Sequence, residues 1–281
     1  MDWKKSKNIL IFALILTNLV LFGMTGGFES LRLEDDDRDP MLDAVISLLE
    51  RRGVTIGTPI PEQRLSIKAL DLEYHEVDGA ATAQKLLKDS HKAQEGLYIG
   101  RDGALLVIAL EREMRFELPM EQWLKAEPLE AEAAWQVGEA FLEAYGFDDA
   151  DRRPWSYSAE PDHVILEWRQ SYGEYFLEEA FMRVRLTGDQ VVSFERRWFN
   201  EPQPRDNSYK VIQPSKALFM AAEKIAESGA GSGEAVRIES MELGYQLETG
   251  SLTSGITSGE ASPYWRMRLS DGRVIFVEAM E

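Results

Sequence analysis

The chain contains no cysteine. That excludes disulfides, thiolate catalysis, cysteine-based zinc sites and a lipid-modified cysteine. Histidine is almost as scarce: His75, His91 and His163 are scattered, and no pair has the spacing of a metal motif such as HExxH. Glycine-rich phosphate loops and Gly-x-Ser-x-Gly elbows are missing as well. Positive charge is short, with 31 Lys and Arg against 49 Asp and Glu, for a net charge of −18 at pH 7. An acidic body repels nucleic acid and anionic lipid, so no nucleic-acid partner is expected. The carboxylates are too numerous to select a hydrolytic pair, which is defined by separation in space. Glu178 and Glu179, or Glu111 and Glu113, could be nominated only arbitrarily. No catalytic, cofactor-binding or metal residue is therefore assigned, no cofactor is expected, and the chain is not read as an enzyme.

What the sequence does have begins at its first residues, MDWKKSKNILIFALILTNLVLFGMTGG. Lys4, Lys5 and Lys7 against Asp2 give +2, so the remainder of the chain carries −20. Ile9 to Met24 is apolar except for Thr17 and Asn18. Basic residues before it, and Glu29, Glu34, Asp35, Asp36 and Asp37 after it, place the N-terminus in the cytoplasm and the body outside. Two readings stand on pattern alone. One is a short membrane-spanning anchor. The other is a cleaved export signal, with Gly23, Thr25 and Gly27 as small residues near a cut. In an anchor, Asn18 and Thr17 either bond to their own helix backbone or reach a neighbouring helix, a contact worth roughly 0.6 to 2 kcal/mol.

Glu29 to Pro40 (ESLRLEDDDRDP) is charged and without apolar period, and reads as a linker; it lacks the spacing of a calcium loop. A helix is predicted from Pro40, with Asp39 as N-cap and Leu42, Val45, Ile46 and Leu49 on one face. Further helices are predicted over 80–89, 130–145 with Gly146 as C-cap, and 214–227. Strands are predicted near 55–56, 65–77, 97–110, 164–169, 176–186, 191–198, 236–247, 264–269 and 274–279. RVRLTGDQVVSFE from Arg183 aligns without gaps on RMRLSDGRVIFVE from Arg266. Turns at Asp102-Gly103, Gly188-Asp189 and Asp271-Gly272 recur at a period of roughly 85 residues. The pattern is a helix followed by an antiparallel meander, used two or three times, an α+β architecture. Glu248 to Ala261 (ETGSLTSGITSGEA) is Gly/Ser/Thr-rich and reads as a loop between strands. Aromatics populate the strands, where core packing is their usual role. Arg196 and Arg197 beside Trp198 have the residue mix of a protein interface, and form the candidate outer interface.

The opening MDW, the basic residues, KNI and the apolar run ending in LTNLVL resemble the start of the YycI family. IESMELGYQLE, the loop, and PYWRMRLSDGRVIFVEA resemble its closing segment. These are membrane-anchored accessory regulators of the WalK (YycG) sensor histidine kinase. The resemblance spans the chain. It implies an uncleaved signal anchor, a single-pass protein of the cell membrane with its body extracytoplasmic, and a YycH/YycI-like, PepSY-like topology. It implies a WalK/YycG-like kinase and a YycH-like co-regulator as partners, with the lipid bilayer met through one helix. Ile9, Phe12, Leu16, Thr17, Asn18 and Leu21 would then be anchor and partner contact, and Lys4, Lys5 and Lys7 the topology determinants. The chain divides on this reading into a cytoplasmic tail (1–7), an anchor (8–26), an acidic linker (27–39), an N-terminal α+β unit (40–118) and a C-terminal region (119–281) of two similar units, about 119–200 and 205–281. The competing reading is a secreted or anchored binding module for peptide or cell-wall material.

Overall fold

The computed structural model describes residues 41–61, 66–227, 235–247 and 257–281. The expected anchor with its lysines, the acidic linker, the Asp39 cap and most of the 248–261 loop lie outside these residues. Among the described residues, no helix is long and apolar enough to cross a membrane. The body is mixed α+β, dominated by one large sheet of 14 strands.

Among the described residues, four α-helices form where the apolar period demands them. The first, α1 (Leu42–Arg51), buries Val45 and Leu49. Next, α2 (Gly79–Leu87) is capped by Asp78, whose carboxylate accepts from the amides of Ala80 and Ala81 at 3.0 Å each. Ala134, Gly138 and Leu142, one turn apart, form the buried stripe of α3 (Ala131–Ala144). Pro214, which needs no amide partner at a first position, opens α4 (Pro214–Glu227). Trp168 and Leu166 come so close to α3 that a Cβ on Gly138 would sit 2.7 Å from each.

The strands are β1 (Val54–Ile56), β2 (Ser66–Glu73), β3 (Ser90–Gln94), β4 (Leu97–Gly100), β5 (Leu105–Ala109), β6 (Glu113–Glu117), β7 (Arg152–Ala159), β8 (Val164–Tyr172), β9 (Tyr175–Thr187), β10 (Gln190–Arg197), β11 (Gln203–Lys210), β12 (Val236–Leu247), β13 (Ser258–Leu269) and β14 (Val274–Glu278). Their order is β11-β2-β13-β12-β9-β10-β6-β5-β4-β3. Off this path, β1 lies on β12, β14 on β13, and β7 on β8. Residues 41–118 serve both ends: β1 and β2 join the C-terminal strands, whereas β5 and β6 continue the sheet beyond β10. The predicted loop ends earlier than its composition indicates. Ser258 to Ala261 already belong to β13 and pair with Glu73 to Leu70 of β2, whose backbone groups would otherwise lack partners there.

Both gapless sequence segments form hairpins, β9–β10 and β13–β14. The repeat extends further than the alignment. Arg183 lies opposite Glu167 of β8, and its counterpart Arg266 lies opposite Glu242 of β12. The equivalence fails at the second strand. Glu195 faces Arg183 across a register shift after Val191, but Glu278 faces Tyr264. Alternation sorts the two faces of β9: Met182, Val184 and Leu186 are fully buried, while Arg183 and Arg185 point the other way.

The two hairpin systems meet at one short parallel pairing, Gly244 with Phe176 and Tyr245 with Leu177. A Cβ on Gly244 would lie 2.5 Å from the Phe176 ring. That ring is wedged against Trp155, at 5.3 Å between centroids, and cannot swing away freely. Gly244→Ala is therefore expected to destabilise the protein by about 1–3 kcal/mol, the usual cost of overpacking. Phe176→Leu introduced with it should restore part of the loss. Urea unfolding of the parent protein and the two variants measures this, and an unchanged midpoint for Gly244→Ala would contradict the junction's tight fit.

Candidate functional site

Beside this junction the sheet opens into a cleft of about 590 Å³. Three register breaks surround it. They fall between Pro154 and Ser156, between Arg169 and Ser171, and between Ile238 and Ser240. A bulge leaves one residue unpaired and re-aims neighbouring side chains. Here the first break turns Trp155 over the cleft. The second seats Gln170, 1% exposed, where its amide donates to Asp151 Oδ2 at 2.7 Å and to the Phe199 carbonyl at 3.0 Å.

The charged groups of the cleft are Arg and Glu from adjacent strands. Arg169 holds Glu167 at 2.7 Å, and its guanidinium also donates to the Glu178 carbonyl. Arg266 lies 3.3 Å from Glu178 and 3.6 Å from Glu242. The Trp155 ring stands over both arginines, 4.9 Å from Arg266 and 5.8 Å from Arg169, within reach of cation–π attraction. Burial raises the pKa of Glu178 against the pull of Arg169 and Arg266. It raises that of Glu242 against Arg266, and lowers that of Arg266 itself.

A second set of pairs runs straight across four strands away from the cleft. Glu167, Arg183, Glu195 and Arg115 succeed one another in register, at 2.9, 3.0 and 3.5 Å. Phe181 is shielded beside this row by the guanidinium groups of Arg183 and Arg197, at 4.9 and 5.0 Å. Partly buried pairs of this kind add little net stability each, because desolvation offsets their attraction, but a row in register fixes which residues face one another.

The residues nominated from sequence are placed as follows. The anchor positions lie outside the described residues. Trp198 is 2% exposed and has no face to offer a partner. Arg196, 5% exposed, is held between the Phe147 and Trp198 rings and pairs with Asp149 at 3.2 Å. Arg197 donates to the Glu179 carbonyl at 2.8 Å and pairs with Glu113 at 3.4 Å. The aromatic environment that suggested an interface is thus interior packing around two committed cations. Glu178 and Glu179, neighbours in sequence, serve different sites. Glu178 faces the cleft arginines, while Glu179 accepts from the Leu247 amide at 3.2 Å. Sequence reasoning missed Trp155, Arg169 and Arg266 as a group, because they lie on three strands, β7, β8 and β13, that only the fold and the bulge at Trp155 bring together. Among the described residues, no group of three or more His, Asp or Glu is arranged to hold a metal ion.

No family model and no curated protein matches this chain. Solved structures do resemble it. An uncharacterized protein from Eubacterium rectale is 9% identical, with a TM-score of 0.48 over 82% of this chain and 87% of that one. The C-terminal domain of YpeB from Bacillus megaterium is 11% identical, with a TM-score of 0.40 over 74% and 94%.

Glu179 supplies a pH test. Burial pushes its carboxyl from 4.5 up to about 7, against the Leu247 amide that favours the charged form. The folded chain then keeps a proton that the unfolded chain releases. Stability from this group is complete below pH 4.5 and declines as pH rises to about 7, by up to roughly 3 kcal/mol. Glu179→Gln should flatten that decline between pH 5 and pH 8 in urea unfolding. An equally steep decline in the variant would contradict the assignment.

Proposed function

We propose that this protein is a non-catalytic accessory regulator of a WalK/YycG-like sensor histidine kinase, held in the cell membrane by its first segment and acting with a YycH-like co-regulator. The observation behind this reading is the pairing of two sequence features in one chain. One is the opening MDW with its basic residues and LTNLVL run. The other is the closing PYWRMRLSDGRVIFVEA. The closing segment is also where β13 and β14 form, and it supplies Trp265, Arg266 and Arg268 to the cleft wall.

On this reading the message passes sideways to another protein, through the membrane segment and the body. A partner shifts a two-state kinase only by its differential affinity for the two states. Carrying such an equilibrium from 1:99 to 99:1 takes about 5.5 kcal/mol. A hydrogen bond from Asn18 to a neighbouring helix supplies roughly 0.6 to 2 kcal/mol. Helix contact through Asn18 alone is too weak for the full shift, so the remaining helix face and the body must share the work.

Exchanging Ile9–Met24 for an unrelated apolar helix should abolish the effect on kinase output while the body still folds. Retained regulation after the exchange would refute the helix mechanism. A photo-crosslinker at Asn18 should capture the kinase or its co-regulator. A mature protein lacking residue 18 would identify the segment as an export signal, and the kinase reading would fall with it.

The cleft favours a second reading, an extracytoplasmic binding module for peptide or cell-wall material. Its size lies in the range of small-molecule sites, and its wall combines aromatic rings with charged and polar side chains. Saturable heat on titration with short peptides or wall fragments supports it, and an absence of heat counts against it.

A further inference from the structure

We propose that the cleft beside the Gly244–Phe176 junction binds a carboxylate group carried on an apolar or planar scaffold, with Arg266 as the carboxylate anchor and Trp155 as the wall for the scaffold. This deepens the binding-module reading and is independent of the kinase.

Arg266 is the first observation. It is 6% exposed and lines the cleft, and its buried Nε faces Glu178 Oε2 at 3.3 Å without closing a hydrogen bond. Its carboxylate neighbours stand at 3.3 and 3.6 Å, beyond the 2.7–2.9 Å of a made charge-assisted bond. Arg169, in the same wall, does make such a bond, to Glu167 at 2.7 Å. A buried guanidinium with unused donors is costly, and a planar carboxylate matches its fork with two parallel bonds. Glu242 Oε2 is likewise buried without a hydrogen-bond partner, so the Arg266–Glu242 pair is loosely held and open to competition.

Charge is the second. Four arginines and two glutamates line the cleft, and Glu167, Glu178 and Glu239 pair from beside it with Arg169, Arg266 and Arg268, so the site offers directed guanidinium groups rather than a large positive excess. Arg153 is committed, donating to Ser171 Oγ and the Gly173 carbonyl at 2.8 Å each, and its charge still contributes to the field. Nearby Glu174 and Glu242 would oppose a dianion such as phosphate more than a single carboxylate.

Shape is the third. The bulge at Trp155 lifts an indole out of the β7–β8 ladder to stand over Arg266, with Phe176 beside it at 5.3 Å. Such a wall packs an apolar side chain or the flat face of a sugar. The carboxylate therefore comes either from the C-terminus of a short peptide or from a sugar acid.

The test is calorimetry on the full-length chain in mild detergent, with four probes: N-acetyl-Leu-Ala as free acid and as amide, and glucuronate against glucose. One of the two acids should bind at least tenfold more tightly than its neutral partner, and which acid does so names the source. Arg266→Lys, which keeps the charge and loses the fork, should weaken that binding at least tenfold. Trp155→Ala, at a partly exposed bulge, should weaken it several-fold with the melting curve preserved. Equal binding of acid and neutral partner, binding of neither acid, or full affinity in both variants would overturn the proposal. The acid-against-neutral comparison uses the unaltered protein, so it decides the matter even where a variant fails to fold. Loss of kinase regulation in the helix exchange would occur with or without these results.

Discussion

The body is held together where β12 meets β9. The pairing spans two residue pairs, but three successive contacts converge on it. Tyr175 packs edge-on against Tyr245 at 5.9 Å, Phe176 covers the bare Cα of Gly244, and the Glu179 carboxylate accepts from the Leu247 amide. Tyr245 then extends the tie sideways by donating to the Lys68 carbonyl of β2 at 2.6 Å. Most other strand pairs are antiparallel, and many form locally through tight turns. The junction joins strands distant in sequence, so its loop-closure cost is met by packing rather than by a turn. That explains the demand for a residue without a side chain at 244.

The cleft follows from the same geometry. Along β12, β1 takes the edge at Val236 to Ile238 and β9 takes it at Gly244 and Tyr245. Between those two pairings the wall passes to side chains of Ser240 and Glu242, with Trp155 and the arginines opposite. Burying Arg and Glu together adds little net stability, because desolvation offsets their attraction. Their value is in geometry. Each Glu–Arg pair across β8–β9 and β12–β13 sits in register, and each fixes where a guanidinium points.

The sequence carried the helices well, since their apolar periods are local, although the first begins at Leu42 behind Met41 rather than at Pro40 behind an Asp39 cap. The 214–227 helix and the strand 236–247 form as predicted. Three strands escaped detection for a shared reason. SHKAQ of β3, RRPWSYSA of β7 and QPRDNSYK of β11 are polar strands outside the sheet's core path or at its ends, and polar composition is how such edges avoid unwanted pairing. EMRFE of β6 also went unpredicted: it alternates, with Met114 and Phe116 inward, but is only five residues long. The cleft was not legible at all. Trp155, Arg169 and Arg266 come from three strands, and no spacing in the chain announces that a bulge at Trp155 will turn its ring over the two arginines. The RRWF stretch shows the converse. Its composition matches an interface, yet Asp149 and two aromatic rings hold Arg196 inside.

The most direct test of the central claim, that one junction makes a single cooperative unit of the two hairpin systems, is native-state hydrogen exchange on the full-length chain. If the junction binds them, amides of β8–β10 and of β12–β13 will open with the same free energy and the same dependence on denaturant. Two separate tiers of protection, one for each side of the Gly244–Phe176 contact, would contradict it.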